Sequence, residues 1–263
     1  MEKKKKTKNK KRFTWVNLAQ LLTVAALLLW MQWAVDSGRV LTIFVASPTF
    51  IVEEGIKIIT DGTLWPHLLL TIQEALAGYL SAVVVGIAVG LLWTLFPVSE
   101  KYMNVFCSAI MAVPKVAILP LLILWFGIGE KYKYFLIFIA AFVPFTLNAF
   151  AGASHVDKQL VGAARMLGAS KSQLFFEIVV PAAVPSIFSG AQVALSNSWM
   201  TMLAAEMVCA TEGVGWIIIA GQSVNDMTQM IAGMLAIGIV GLLLAIGMRK
   251  LEERCLIWNN QGK

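Results

Sequence analysis

Residues 154–185, SHVDKQLVGAARMLGASKSQLFFEIVVPAAVP, are a charged interruption in a chain that is otherwise mostly apolar. They carry His155, Asp157, Lys158, Arg165, Lys171 and Glu177. Ser154 and Asp157 are spaced as in a capping box, with Asp in place of the usual Glu. From there Val156, Leu160, Ala163, Ala164 and Leu167 recur at helical spacing as one apolar stripe, with Lys158, Gly162, Arg165 and Met166 on the other side. Gly168 tolerates positive φ and ends this helix. Ala169 and Ser170 lead into a second short helix, 171–180. Pro181 and Pro185 then stop or kink the chain as it passes into the next apolar run. The stretch reads as two short helices meeting at a glycine and feeding a longer one. Such an element either docks onto another protein or packs on its own bundle, and periodicity alone leaves both open.

The surroundings identify the longer helices as membrane spans. Of 263 residues, 59% are hydrophobic and 14% charged, and the mean hydropathy is +0.77. Soluble domains run nearer 45–50% apolar and about 25% charged. The excess lies in runs near the ~20 residues that cross about 30 Å of hydrocarbon. Six spans are expected: 13–35, 67–96, one ending near 126, 134–153, 182–208 and 227–248. The third contains Pro114 and Pro120, and the fourth Pro144. The chain is therefore predicted to be an all-α polytopic membrane protein.

Between the first two spans, residues 49–60 read as a short amphipathic helix lying along the outer surface. The second span sets Ala82, Gly86 and Gly90 four residues apart, a face that another helix can approach closely. Residues 209–226 hold Gly213, Gly215 and Gly221 around a short apolar patch at 216–220. The first run is long for a signal peptide and lacks a clean cleavage site, so it is expected to be a retained span.

Charge orients the spans. Residues 1–12, MEKKKKTKNKKR, hold eight of the 21 Lys and Arg residues. With the N-terminus in the cytoplasm, cytoplasmic segments hold sixteen, and the outer loops hold four: Arg39, Lys57, Lys131 and Lys133. The positive-inside rule supports this orientation, which puts both termini and residues 154–185 in the cytoplasm. The net charge of +6 thus reads as membrane orientation, with no nucleic acid implied.

Catalytic motifs are missing from the sequence. It contains no GxxxxGK[ST] phosphate loop, no HExxH and no GxSxG. The two histidines, His67 and His155, are far apart, and the three cysteines form no CxxC. No cofactor or metal of its own is expected, and an intramembrane enzyme would lack a paired acid and base. The polar residues within spans are candidates for a solute path. In the fifth span Ser189, Gln192 and Ser196 recur at helical spacing, beside Asn197 and Thr201. Thr146 and Asn148 stand out in the fourth, where helix–helix hydrogen bonding is the alternative. Lys115 either snorkels toward the cytoplasm or faces the passage. Glu206 lies near the outer end of the fifth span, where it faces either the outer gate or interfacial water, and Glu74 sits within TIQEALAGY.

Gly162-Ala163-Ala164, three residues, Gly168, nine residues, then Ile178-Val179-Val180-Pro181 resembles the EAA loop of ABC-importer permeases. Gly162 stands where that pattern has Glu, and Val180 where it has Leu. VPKVAILPLLILWFGIGE (113–130), AEM (205–207) and EGVGWII (212–218) are similar to the nitrate, sulfonate and taurine group of these permeases.

The resemblance implies a type I importer permease fold. A basic tail (1–12) precedes a single permease domain (13–258) with its coupling loop at 154–181, and a short tail (259–263) follows. It further implies a homodimer in the cell membrane's lipid bilayer and two cytoplasmic ATPase subunits that hold ATP and Mg. An extracytoplasmic binding protein would deliver the solute. Asp157, Leu160, Ala163, Ala164, Arg165, Leu167, Gly168, Ala169 and Ser170 would form the ATPase-docking surface.

At Glu74 the sulfonate and taurine members usually carry Arg. A carboxylate that faced the solute would favour a neutral or cationic one, such as a thiamine-precursor pyrimidine, over a sulfonate, taurine or nitrate-type anion. A stand-alone secondary transporter or channel is the rival from a different class.

Overall fold

The computed structural model describes residues 2–40, 45–96 and 99–256, and every regular element among them is helical. In chain order these are α1 (Glu2–Asp36), α2 (Pro48–Thr60), α3 (Leu64–Trp93), α4 (Ser99–Ala112) and α5 (Lys115–Phe126). They continue with α6 (Lys131–Ser154), α7 (Lys158–Met166), α8 (Lys171–Cys209), α9 (Val214–Ser223) and α10 (Met227–Cys255). Among the described residues, five helices are long and apolar enough to cross a membrane, and six if α4 and α5 together make one broken span.

That break differs from the expected continuous third span. α4 and α5 are bent by 75° about Val113 and Pro114. Pro114 lies in extended backbone (φ −60°, ψ 121°). Its ring disfavours helix at the residue before it and supplies no N–H to continue the ladder. Pro120 does the opposite. It sits in the first turn of the α-helical part of α5, where no N–H is needed.

Two more boundaries shift. The first helix begins within the basic N-terminal run, ahead of the span expected from residue 13. Lys131 and Lys133, counted above to an outer loop, open α6.

The chain divides into two compact units: Met1–Thr63 with Ile217–Leu235, and Leu64–Trp216 with Ala236–Lys263. In the first, Ser47 caps α2 by accepting from Phe50 N–H (3.3 Å). Gln32 Oε1 accepts from Thr49 N–H (3.2 Å), tying α1 to α2. No residue of α2 is buried, and its apolar Phe50, Val52, Ile56 and Ile59 are exposed, as an interfacial helix requires. Asp226 caps the start of α10 through Gln229 N–H (3.0 Å). Gly233 lets the Ile218 side chain pack directly on the α10 backbone, where an added Cβ would lie 2.9 Å away.

The second unit is built on α6, which packs against both α3 and α8. The small-residue face of α3 meets α6 at backbone distance. A Cβ added to Gly78 would lie 2.6 Å from Ile137 Cβ, and one on Gly86 2.8 Å from Phe145 Cβ. One on Gly90 would lie 2.5 Å from the Thr146 carbonyl oxygen. On the other side of α6, Gly152 faces Ser186 and Gly190 faces Asn148 in the same way. Lipid supplies no hydrophobic drive between helices, so this close packing is what holds them together. Tyr79, Ala82, Ala141, Phe145, Ala191 and Ala194 form the core where the three helices meet.

Candidate functional site

Residues 154–185 have the bent two-helix form expected, with different chemistry at their joints. Ser154 is the last residue of α6 and caps nothing; Asp157 is the N-cap of α7, accepting from Gln159 N–H (2.8 Å). The capping box lies one helix later. Ser170 Oγ accepts from Gln173 N–H (3.3 Å), and Gln173 Oε1 accepts from Ser170 N–H (2.9 Å). The S-x-x-Q spacing that marks it is present in the sequence.

Between the two helices, Gly168 adopts φ +87°. Its N–H donates to the Arg165 carbonyl (3.0 Å), and Ala169 N–H donates to the Ala164 carbonyl (3.0 Å). This Schellman turn satisfies the carbonyls left open at the end of α7. No residue of α7 is buried. Leu160 is 51%, Met166 85% and Leu167 89% exposed. Ala163 and Arg165 are also exposed. Of the apolar stripe, Leu160, Ala163 and Leu167 are thus exposed, while Val156 and Ala164 are half-buried.

The second short helix does not stop at the prolines. It runs without interruption into α8 through a π-helical turn, Leu174–Val179. Val180 N–H donates to the Phe175 carbonyl, five residues back. The wider turn relieves the clash that Pro181 would make in an α-helix, and such turns recur at functional positions. α7, the glycine joint and a 39-residue α8 follow one another directly, with the form of a bent lever.

The path candidates separate into two groups. Ser189, Gln192 and Ser196 lie on an exposed face of α8, opposite the buried Gly190, Ala191, Ala194 and Ser198. The Gln192 amide bonds Glu252 of α10, a partner that sequence reasoning did not pick out. Asn148 is half-buried, with Nδ2 donating to the Pro144 carbonyl (2.8 Å). With Asn104 and His155 it lines a cavity of about 280 Å³. Lys115 is half-exposed at the α4–α5 break, its Nζ 3.5 Å from the Met111 carbonyl.

Glu74 and Glu206 are placed differently. Both are buried. Glu74 is bound by Lys133 Nζ at 2.7 and 3.0 Å, with the two side chains 0% and 7% exposed. The carboxylate is therefore paired rather than a free negative wall, and gives a cationic solute no advantage. The pair itself lines a cavity of about 170 Å³, with Glu130, Cys209, Thr211 and Glu212 among others. Glu206 does not face interfacial water. Its Oε1 lies 2.6 Å from the Thr71 hydroxyl, and its Oε2 accepts from Gly215 N–H (2.7 Å). Lys133, Thr71 and His67 were not singled out from sequence. His67 and Thr71, four apart ahead of Glu74, shared one helical face from the start.

Residues 82–252 match the family described as the binding-protein-dependent transport system inner membrane component. The chain belongs to that family. It is 32% identical over 242 residues to the taurine transport system permease protein TauC of Escherichia coli K12, covering 90% of this chain and 88% of that one. It is 31% identical over 256 residues to the aliphatic sulfonates transport permease protein SsuC of Bacillus subtilis 168, covering 97% and 92%. To the nitrate import permease protein NrtB of a Synechocystis strain it is 33% identical over 185 residues, covering 70% and 67%. These relatives are of the group that the motifs resembled.

Among solved structures, an inward-facing MetNI methionine ABC transporter chain superposes with a TM-score of 0.60 at 17% identity, covering 70% of this chain and 92% of that one. At that identity the likeness concerns the fold, which is that of an ABC-importer permease.

Proposed function

We propose that this chain is the transmembrane subunit of an ATP-driven importer for small organic sulfonates or chemically similar anions. Two copies form the translocation path across the cell membrane. Two cytoplasmic ATPase subunits, which carry the ATP and Mg, dock onto α7, and an extracytoplasmic binding protein delivers the solute. Both termini face the cytoplasm.

The observation that carries this reading is α7 itself. It is a capped helix with no buried residue, two large apolar side chains more than four-fifths exposed, and a rigid turn into a membrane-length helix. A stand-alone channel has no use for such an element, whereas an ATPase groove would cover it. Ala163, Ala164 and Gly168 suit a shallow groove because they let backbone approach. The missing EAA glutamate at Gly162 leaves docking to shape and to the Leu160, Met166 and Leu167 side chains. Closure of the ATPases then displaces α7, and α8 carries the displacement into the membrane.

The solute class rests on the relatives, whose names specify taurine, aliphatic sulfonates and nitrate. Glu74 does not oppose an anion, because Lys133 neutralises it. The exposed polar face of α8, Ser189, Gln192 and Ser196, supplies hydroxyl and amide groups for the passage. Asn148 and Lys115 are further lining candidates.

Gly168→Asp tests the docking. The substitution strains a φ of +87° and adds a charge to the surface presented to the ATPase. Membrane insertion and dimer formation are expected to persist while uptake driven by ATP hydrolysis is lost. Full transport by a well-folded variant would overturn the role given to α7.

A further inference from the structure

Three consecutive backbone N–H groups at the start of α9 each meet a different side chain. Gly213 N–H donates to His67 Nδ1 (3.0 Å), Val214 N–H to the Thr71 hydroxyl (3.0 Å) and Gly215 N–H to Glu206 Oε2 (2.7 Å). A helix leaves its first N–H groups without partners inside the helix. Usually the residue just before the helix caps them. Here the caps come from α3 and from the last turn of α8.

The caps are themselves joined. The Thr71 hydroxyl lies 2.6 Å from Glu206 Oε1, and the His67 ring stacks on Trp216 with centroids 5.2 Å apart. Thr71 is 2% and Glu206 1% exposed. A carboxylate buried this deeply is retained only with a full set of partners.

Two glycines make room for it. Gly213 has φ +108°, and a Cβ there would run into the Glu206 carboxylate. A Cβ on Gly215 would lie 2.7 Å from Glu206 Cβ. The spacing of glycines in EGVG is thus dictated by a side chain on another helix.

The clamp has a defined place on the lever. α8 begins at the α7 joint, and Glu206 lies in its last turn, at the other end of about 58 Å of helix. The second unit's chain begins at Leu64 and leaves again after Trp216, so His67 and the capped turn hold these two points of the chain together.

We infer that His67, Thr71 and Glu206 are positioning residues for transport. They clamp the 210–216 turn to α3 and α8, so that a displacement of α8 at its docked end reaches α9 through Glu206. Loosening the clamp lets α8 move at its docked end without α9, so that ATP hydrolysis is no longer tied to events at the opposite end. This inference rests on the function proposed above.

The test uses the full transporter with its ATPase and binding protein in proteoliposomes, measuring ATPase activity with and without loaded binding protein alongside sulfonate uptake. Thr71→Val keeps the side-chain shape and removes the hydroxyl that caps Val214 and meets Glu206. It is expected to raise binding-protein-independent ATPase activity about fivefold or more and to lower uptake per ATP. Glu206→Ala and Gly215→Ala are expected to do the same, and combining Thr71→Val with Glu206→Ala to add little, because the groups act as one. Thr71→Ser and Glu206→Gln, which keep an acceptor for the backbone N–H, are expected to restore coupling.

A merely structural role would lower the yield of all variants without changing the ratio of uptake to hydrolysis. Thr71→Val with unchanged binding-protein dependence would overturn the inference even if Glu206→Ala fails to assemble. Absence of ATP-driven uptake in the unsubstituted transporter would instead overturn the function on which it rests.

Discussion

Lys133→Met isolates the energetics of the buried ion pair. The substitution leaves the Glu74 side chain 0% exposed with its ion partner removed, whereas the intact pair is closed at 2.7 Å. Removing one member of a buried pair destabilises by about 3–5 kcal/mol, because the remaining charge stays buried without compensation. Glu74→Leu strands Lys133 in the same way, with some relief because Lys133 is 7% exposed and its chain can reach toward water. Replacing both, Glu74→Leu with Lys133→Met, removes both charges and fills similar volume, and is expected to be near neutral.

The double-mutant cycle should therefore give a coupling of about 3 kcal/mol or more. At roughly 2–4 °C per kcal/mol for a chain of this size, each single variant should melt on the order of 10 °C below the parent, and the double variant close to it. Thiol-dye melting in detergent reads this cleanly with Cys209→Ser and Cys255→Ser in the background. Cys107, 0% exposed, is then the reporter that reacts on unfolding. Single variants that melt within about 2 °C of the parent, at most about 1 kcal/mol on that scale, would refute the pairing. So would a double variant that melts as low as the singles. The same proteins address solute charge: near-parental uptake of a sulfonate by the double variant would show that Glu74 is structural.

Two further substitutions test packing. Gly90→Leu drives a side chain into the Thr146 carbonyl, which a Cβ alone would approach to 2.5 Å, so α3 and α6 must part. Loss of the monodisperse peak on size-exclusion chromatography is expected, while Gly55→Leu, with nothing within 4 Å, leaves the profile unchanged. Tyr132→Phe removes a hydroxyl that is buried with no hydrogen-bond partner among the described residues. It is expected to be neutral or to stabilise by about 1 kcal/mol in the same melting assay, and a clear loss of stability would show that the hydroxyl has a partner in the assembled transporter.

Local patterns in the sequence were enough for the spans, the short helix after α6 and its glycine joint. Hydropathy runs of membrane length, a 3.6-residue stripe through Leu160 and Leu167, and a glycine at the end of it are all properties of neighbours along the chain. The face made by Ala82, Gly86 and Gly90 was legible for the same reason, since four-residue spacing places small residues in one row. Errors arose where two local signals competed. Ser154 and Asp157 matched a capping box, but Ser154 remained in α6, and the box formed at Ser170 and Gln173. Pro114 broke a span, whereas Pro181 was absorbed by a π-turn. The difference depends on whether surrounding carbonyls find other donors, which a list of residue types does not reveal.

The charged residues divide along the same line. Composition and spacing placed Glu74, Lys133 and Glu206 in or beside apolar runs, and no local pattern says what a buried charge is paired with. Glu74 and Lys133 are 59 residues apart, and Thr71 and Glu206 are 135 apart. Only the packing of α3 against α6 and α8 brings these groups within hydrogen-bond distance. That packing gave Glu74, a candidate solute contact, an ion-pair partner, and made Glu206, read as facing either an outer gate or interfacial water, a helix cap. The helices and the coupling joint arise from backbone propensity and hydrophobic period, which act over a few residues. The meaning of each buried charge arises from partners that chain folding supplies over long range, because in a low-dielectric interior the partner decides whether the charge is tolerated at all.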